Sequence, residues 1–273
     1  MNILDILLYS LNVELLITIL MLVLIATILW RFFKKRNLAL LYLALFFILF
    51  ALGVYFASVG HRYQLSMISV IIQDYMLYGV FVSFNVQQSF YATIADWTIM
   101  VSQGYLIGSI ITLGLSIVLA DIGCFFLFTF TLKAFLEKKK KWMLLYSLFF
   151  VAAFILTILN LPSLNRTLTS MIALMIGLVS CIPLAYLAIR AARLTKAKLY
   201  RYGFQMIAIS TVFLILFFLF NFAEGAVIGE FSIFMPLAWT MGLVSSISAY
   251  IGYVLPNWFR KLIGEKPEEI VQA

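Results

Sequence analysis

Long uninterrupted runs of apolar residues dominate the chain, and short polar segments separate them. The runs fall at roughly 13–33, 38–59, 106–132, 142–160, 168–192, 203–223 and 232–255. A helix needs about 20 apolar residues to cross the hydrocarbon core of a bilayer. Inside lipid every backbone N–H and C=O group needs an internal partner, so each run predicts a helix. We therefore predict an all-α integral membrane protein with seven transmembrane helices, spans 1 to 7 below.

Residues 60–105, between spans 2 and 3, fit this pattern least well. Two segments there, 66–84 and 93–104, are apolar enough to suggest two further crossings. Those crossings would place Gln73 and Asp74 in lipid, so we favour an outer cap that lies on or above the membrane. Part of the cap, residues 80–94, alternates and is rich in aromatic and β-branched side chains, which keeps a short β-hairpin open as an alternative.

Positive charges lie almost entirely on one side of the predicted spans, the basic side. Of the 19 Lys and Arg residues, all but Arg62 and Arg166 follow spans 1, 3, 5 and 7. By the positive-inside rule the basic side is cytoplasmic, which places the N-terminus outside and the C-terminus in the cytoplasm. We predict a seven-helix domain over residues 1–263, with its cap at 60–105, and a short cytoplasmic tail at 264–273, in the cell membrane.

Composition strengthens the membrane prediction and argues against nucleic acid as a partner. Hydrophobic residues make up 65% of the chain, charged residues 11%, and the mean hydropathy is +1.10. So few polar residues cannot cover the surface of a water-soluble protein of this size. We therefore expect the lipid bilayer to surround the chain as its main partner. The net charge of +8 does not predict nucleic-acid binding, because no soluble basic module carries it.

Residue types that catalysis or metal binding would need are scarce. His61 is the single histidine, and no Cys-x-x-Cys, phosphate-loop or nucleophile-elbow motif is present. Cys124 and Cys181 lie inside apolar runs, where we expect small packing residues. We expect no enzyme, no metal and no cofactor. His61 is predicted to be a solvated interfacial residue, with an outer pH sensor as the alternative.

Asp121 is the one acidic residue near the middle of a span. An aspartate at this depth costs roughly 2.5–3.5 kcal/mol, so it should face the bundle interior and find partners. No Lys, Arg or His lies near the middle of a predicted span to pair with Asp121. Desolvation therefore favours the protonated, neutral form of its carboxyl group. Depth places four hydroxyl groups at its level, and we predict that they form a ligand-binding pocket with it: Ser180, Thr211, Ser245 and Ser246. Simple hydrogen-bonded contact between helices is the alternative.

Acidic residues also collect on the side opposite the basic side. They predict either an acidic vestibule that attracts cations or amines, or a solvated rim. The residues are Glu14, Asp74, Asp96, Glu224 and Glu230. Asn165-Arg166-Thr167, on the same side, is a glycosylation sequon that checks the orientation.

Two stretches carry a resemblance to a known family. The first stretch has a cluster of basic residues followed by a Leu/Ala/Phe-rich helix, "RFFKKRNLALLYLALFFILFALGVYF" (31–56). The second stretch ends span 7, "YIGYVLPNWFRKL" (250–262). Both are similar to the seven-helix membrane input modules of prokaryotic, notably archaeal-type, sensor histidine kinases. The resemblance implies that a stimulus shifts the helices and that the seventh passes the shift to a kinase. Residues 257–273 contain no histidine that could accept phosphate, so we expect the module here without a kinase domain.

Three functions remain open from the sequence. The first is a sensory or adaptor module that binds a small ligand, lipid or ion and signals to a separate, unidentified cytoplasmic or membrane protein. The second is a non-catalytic accessory subunit of a larger membrane complex. The third is a transporter or channel, which the lack of a clear internal repeat disfavours.

Overall fold

The computed structural model describes residues 3–83, 88–135, 140–160, 166–224 and 233–264. Within these ranges it does not describe the side chains of 3–4, 70–83, 88–102, 106, 140, 142–143, 160 and 166–167. Eight helices make up the secondary structure of this part of the chain: α1 (Ile3–Lys35), α2 (Leu38–Ser83), α3 (Gln88–Phe135), α4 (Lys140–Asn160), α5 (Arg166–Leu194), α6 (Lys198–Ala223), α7 (Phe234–Val254) and α8 (Asn257–Leu262). The all-α prediction is confirmed for these residues.

Six of the helices are long and apolar enough to cross a membrane, as a multipass membrane protein requires. Their apolar stretches are Asp5–Lys35, Leu38–Ser69, Gln103–Phe135, Leu168–Leu194, Lys198–Ala223 and Phe234–Val254. Helix α4 contributes a shorter apolar stretch, Leu144–Leu159, within its described residues. The structure thus contains helices long and apolar enough for six of the seven predicted crossings, and a crossing by α4 stays a prediction.

Helices α2 and α3 extend well beyond the predicted spans 2 and 3. At 1.5 Å per residue the 46 residues of α2 measure about 69 Å, more than twice the thickness of a hydrocarbon core. Residues 80–83 and 88–94 are helical, so the β-hairpin prediction is wrong for them, and 84–87 lie outside the described residues. A helix that is already nucleated extends at little cost, which outweighs a short alternating pattern. Whether 60–105 caps the membrane stays a prediction.

The helices pack in an order that closes a ring. Each helix contacts the next in the order α1, α2, α3, α5, α6 and α7, and α7 contacts α1 again. Helix α4 lies outside this order, against α3 and α5. These six ring helices are the six that are long enough to span. Helix α4 exposes an apolar face that includes Leu144, Leu148 and Leu159, as lipid-facing helices do.

Close helix contacts fix the relative height of the ring helices. Against α3, Gly60 on α2 faces Thr112 and Leu113, and Gly108 on α3 faces Tyr63. These contacts show that α2 and α3 run antiparallel along each other. On α7, a Cβ at Gly252 would lie 2.9 Å from a backbone nitrogen of α6, so this contact requires glycine.

The end of α7 forms a sharp joint with α8. Leu255 follows α7 with a φ of 51°, in the left-handed region. Pro256 then caps the six-residue helix α8, whose Phe259 is buried. The chain therefore changes direction at Leu255–Pro256 and continues as a separate short helix.

Candidate functional site

Asp121 on α3 is fully buried, as the sequence predicts. Thr157 on α4 donates a hydrogen bond from Oγ1 to Asp121 Oδ2 at 3.2 Å. Asp121 Oδ1 has no hydrogen-bond partner among the described residues. Thr157 is not among the partners predicted from the sequence, although its position along α4 places it at a depth similar to that of Asp121. Thr157 lies about 26 Å after the start of α4, and Asp121 about 21 Å before the end of α3.

Ser180 belongs to a neighbouring hydrogen-bond network between α3, α4 and α5. The hydroxyl of Tyr146 lies 2.5 Å from Ser180 Oγ, and Ser180 donates to the carbonyl of Ile176 at 2.8 Å. The Tyr146 ring stacks on Phe128 at a centroid distance of 3.7 Å. This network therefore consists of side chains that are already hydrogen-bonded to one another.

Cys124 and Cys181 are both free thiols, and both are fully buried. Cys124 lies one helical turn after Asp121 on α3, and Cys181 follows Ser180 on α5. The prediction that these two cysteines are buried packing residues is confirmed.

The remaining predicted site residues lie on α6 and α7. Thr211 donates to the carbonyl of Ile207 at 2.7 Å, and Ser246 donates to the carbonyl of Gly242 at 2.7 Å. Both bonds stay within one helix. Ser245 reaches across instead and donates to the carbonyl of Ser210 at 2.8 Å.

A small cavity lies at the centre of the helix ring, and all six ring helices line it. Its volume is about 20 Å³, which is room for about one water molecule. Its lining residues with hydroxyl groups are Ser210, Thr211, Ser245 and Tyr253, and the other lining side chains are apolar. Asp121 and Ser180 face α4 and do not line the cavity, and Ser246 does not line it either. The structure thus splits the predicted pocket into two places, and its ligand-binding role stays a prediction.

A second buried acid, Glu14, forms a polar pair that the sequence analysis did not predict. Glu14 on α1 is 0% exposed and His61 on α2 is 8% exposed. Glu14 Oε1 lies 2.6 Å from His61 Nδ1, and the two residues are 47 positions apart in the chain. The placement of His61 as a solvated residue, and of Glu14 on an acidic rim, is therefore wrong.

The physical reason for this pair is the register of two antiparallel helices. Glu14 lies about 32 Å before the end of α1, and His61 about 35 Å after the start of α2. Residues 36–37 link these helix ends, so the two side chains reach the same height. In the sequence, the similar number of residues from Glu14 and from His61 to the short link at 36–37 could have predicted this pair.

Further buried polar groups surround the Glu14–His61 pair. Ser10 lies one turn before Glu14, and Gln64 lies one turn after His61 at the level of Ser109 on α3. Four buried oxygens have no hydrogen-bond partner among the described residues: Glu14 Oε2, Ser10 Oγ, Gln64 Oε1 and Ser109 Oγ. The ring of Trp239 on α7 lies edge-on to the His61 ring at 6.2 Å. The pair therefore lies in a buried polar site where α1, α2 and α7 meet.

The described side chains contain no group of three or more His, Cys, Asp and Glu residues that could hold a metal ion.

Charge near the Glu14–His61 pair comes from Arg62, which is exposed and attracts the Glu14 carboxylate. The pair places a carboxyl group and an imidazole in direct contact in the protein interior.

Much of the predicted acidic vestibule falls on side chains that the structure does not describe. Asp74, Asp96 and Glu230 belong to this group, and so does Asn165 of the glycosylation sequon. Glu224 follows α6 and is partly buried. The vestibule and the glycosylation stay predictions.

Comparison of the chain with known protein families, with curated proteins and with solved structures gives no match. The similarity to sensor kinase input modules consequently rests on the residues of 31–56 and 250–262 alone. Function has to be inferred from the geometry of the buried polar groups.

Proposed function

We propose that this protein is a sensory or adaptor module embedded in the cell membrane, with a proton as its input and a separate protein as its partner. In this proposal α4 supplies the seventh crossing, the N-terminus lies outside and the C-terminus lies in the cytoplasm. The observation that carries the proposal is the 2.6 Å contact between the buried side chains of Glu14 and His61.

The described central cavity is too small for an organic ligand, and the separate Glu14–His61 pair offers a place for a proton. A cavity of about 20 Å³ accepts about one water molecule, whereas pockets for small organic ligands measure about 300–1,000 Å³. Histidine is the side chain that changes its charge near neutral pH without special tuning. A neutral imidazole donates one hydrogen bond to Glu14, whereas an imidazolium forms an ion pair with it, and the difference is large in a poorly solvated site.

Contacts of α1 and α2 with α7 provide a route from this pair to the basic side. Trp239 on α7 lies against His61, and the hydroxyl of Tyr9 on α1 lies 2.8 Å from Thr240 Oγ1 on α7. Helix α7 continues from these residues to the joint at Leu255 and α8. A change in the Glu14–His61 contact would therefore act on the helix that ends next to the exposed helix α8.

The test is a distance measurement on the basic side as a function of pH. Leu262 on α8 and Leu194 at the end of α5 are exposed, so Leu262→Cys and Leu194→Cys accept spin labels. The native thiols Cys124 and Cys181 are fully buried and do not interfere. In vesicles of phosphatidylglycerol and phosphatidylcholine, we expect the distance between the two labels to change between mildly acidic and mildly alkaline pH.

Matched variants identify the group that responds. Glu14→Gln and His61→Gln should abolish the pH-dependent change in distance, and Asp121→Asn, at the other buried acid, should leave it intact. A change that persists in both Glu14→Gln and His61→Gln would overturn the proposal, and so would a parent protein whose distance does not depend on pH.

A second candidate, the accessory subunit, is favoured by the same small cavity, because such a subunit needs no ligand of its own. Isolation from native membranes separates the candidates. A stoichiometric complex of several subunits, together with no pH response, supports the accessory subunit. One reproducible partner together with the pH response supports the sensory module.

A further inference from the structure

Two guanidinium groups from different helices bind the same short piece of backbone where α7 ends. Arg31 on α1 donates from Nη1 to the carbonyl of Tyr253 at 2.6 Å and from Nη2 to that of Val254 at 2.8 Å. Arg260 on α8 donates from Nε to the carbonyl of Leu255 at 2.9 Å. Because these three carbonyls are consecutive, the two cations lie side by side.

The end of α7 explains why these carbonyls are available. The last carbonyls of a helix have no intrahelical donor, and they form the negative end of the helix dipole. Leu255 leaves the helical geometry with its φ of 51°, and Pro256 has no N–H group to donate. Arg31 and Arg260 therefore cap the helix, and this capping fixes the position of both guanidinium groups.

Capping uses only part of the hydrogen-bonding capacity of the two arginines. A guanidinium group has five N–H donors, of which Arg31 uses two and Arg260 one in the bonds above. Neither arginine has a carboxylate partner within the described part of the chain. The exposed Lys34, Lys35 and Lys261 add further positive charge at these helix ends. The joint thus holds a pair of cations with spare donors and no carboxylate partner among the residues that the structure describes.

We propose that Arg31 and Arg260 bind the phosphate of an anionic lipid headgroup. The planar fork of guanidinium matches phosphate oxygens, and two of them can hold one phosphate from two directions. Basic pockets at the ends of transmembrane helices are the usual sites of anionic headgroups. In this proposal the two arginines lie at the level of a membrane interface, where the side chains of Trp258 and Leu262 on α8, 54% and 76% exposed, would contact lipid.

Native mass spectrometry of the full chain tests the proposal. The protein is placed in mixed micelles that contain phosphatidylglycerol and phosphatidylcholine, and the ratio of the retained lipids is measured. We expect a preference for phosphatidylglycerol that falls about tenfold in Arg260→Gln, since a direct hydrogen bond between charged groups contributes about a factor of that size. The matched control is Arg193→Gln, which removes an exposed cation at the end of α5 and should leave the preference unchanged.

Further arms of the experiment separate the sources of phosphate and check the fold. Arg31→Gln should reduce the preference as Arg260→Gln does, and circular dichroism reports whether each variant keeps its helix content. If millimolar inorganic phosphate displaces phosphatidylglycerol completely, the site takes a free anion and the lipid assignment is overturned. Equal losses in Arg260→Gln and Arg193→Gln, or no preference in the parent protein, overturn it as well.

Discussion

Glu14 and Asp121 are equally buried, yet their surroundings differ in a way that matters for function. Each acid is 0% exposed, and each has one oxygen in a hydrogen bond and one without a partner in the described residues. Glu14 contacts the imidazole of His61, which can itself gain a proton, whereas Asp121 accepts a hydrogen bond from the hydroxyl of Thr157. Burial of either acid costs free energy, but only Glu14 is paired with a second ionisable side chain.

Position in the fold widens this difference. Glu14 lies where α1 and α2 of the ring meet, and Trp239 of α7 lies beside its partner. Asp121 faces α4, which packs against α3 and α5 with an exposed apolar face. A change at the Glu14–His61 pair thus acts on ring helices, whereas a change at Asp121 acts on the attachment of α4.

The largest effect is expected on removal of the imidazole. His61→Ala leaves the Glu14 carboxylate buried without its partner, which should lower the free energy of unfolding by about 3–5 kcal/mol. Unfolding by dodecyl sulfate in mixed micelles, followed by circular dichroism, measures the loss. The double variant Glu14→Leu/His61→Leu should recover most of it, because both polar groups are removed together. A loss below about 1 kcal/mol in His61→Ala would contradict an energetically coupled pair.

Infrared spectroscopy should distinguish the two acids directly. Since no cation contacts Asp121 among the described residues, we expect a carboxylic acid band from it at neutral and mildly acidic pH. The band should disappear in Asp121→Asn and persist in Glu14→Gln. Ionised Asp121 at mildly acidic pH, in protein without a bound cation, would contradict this expectation.

The smallest effect is expected at the hydrogen bond between α3 and α4. Thr157→Val removes the donor to Asp121 and should cost about 0.6 kcal/mol, the usual size of such a bond between membrane helices. A double-mutant cycle with Asp121→Asn in the same unfolding assay isolates the pairwise energy. A coupling as large as that of Glu14 and His61 would remove the energetic distinction between the two sites.

Helix extents were only partly predictable from the sequence. The apolar runs located the six long helices, because a run of this length can satisfy its backbone in lipid only as a helix. The same reasoning ended span 2 at residue 59, whereas α2 continues to Ser83. Residues 60–83 contain polar side chains, and the length of an apolar run no longer determines where a helix ends once polar residues interrupt the run.

The candidate site was harder to predict than the helices. Burial of Asp121 followed from its depth, but its partner Thr157 is on α4, and Thr211, Ser245 and Ser246 are hydrogen-bonded elsewhere. Helix α1 is apolar on almost all sides, so hydrophobic periodicity does not indicate which of its faces points inward. Glu14 was consequently placed on the outer rim.

Sequence by itself determined the helical character of this protein and the burial of Asp121, because both depend on local chain length and on the cost of polar groups in lipid. Only the tertiary structure decided that Glu14 meets His61, that Asp121 faces α4, and that Arg31 and Arg260 share the end of α7. The physical reason is that these contacts depend on how each helix is rotated and how far it is shifted along its neighbour. Packing between helices distant in the chain, such as the contact at Gly252, sets both quantities.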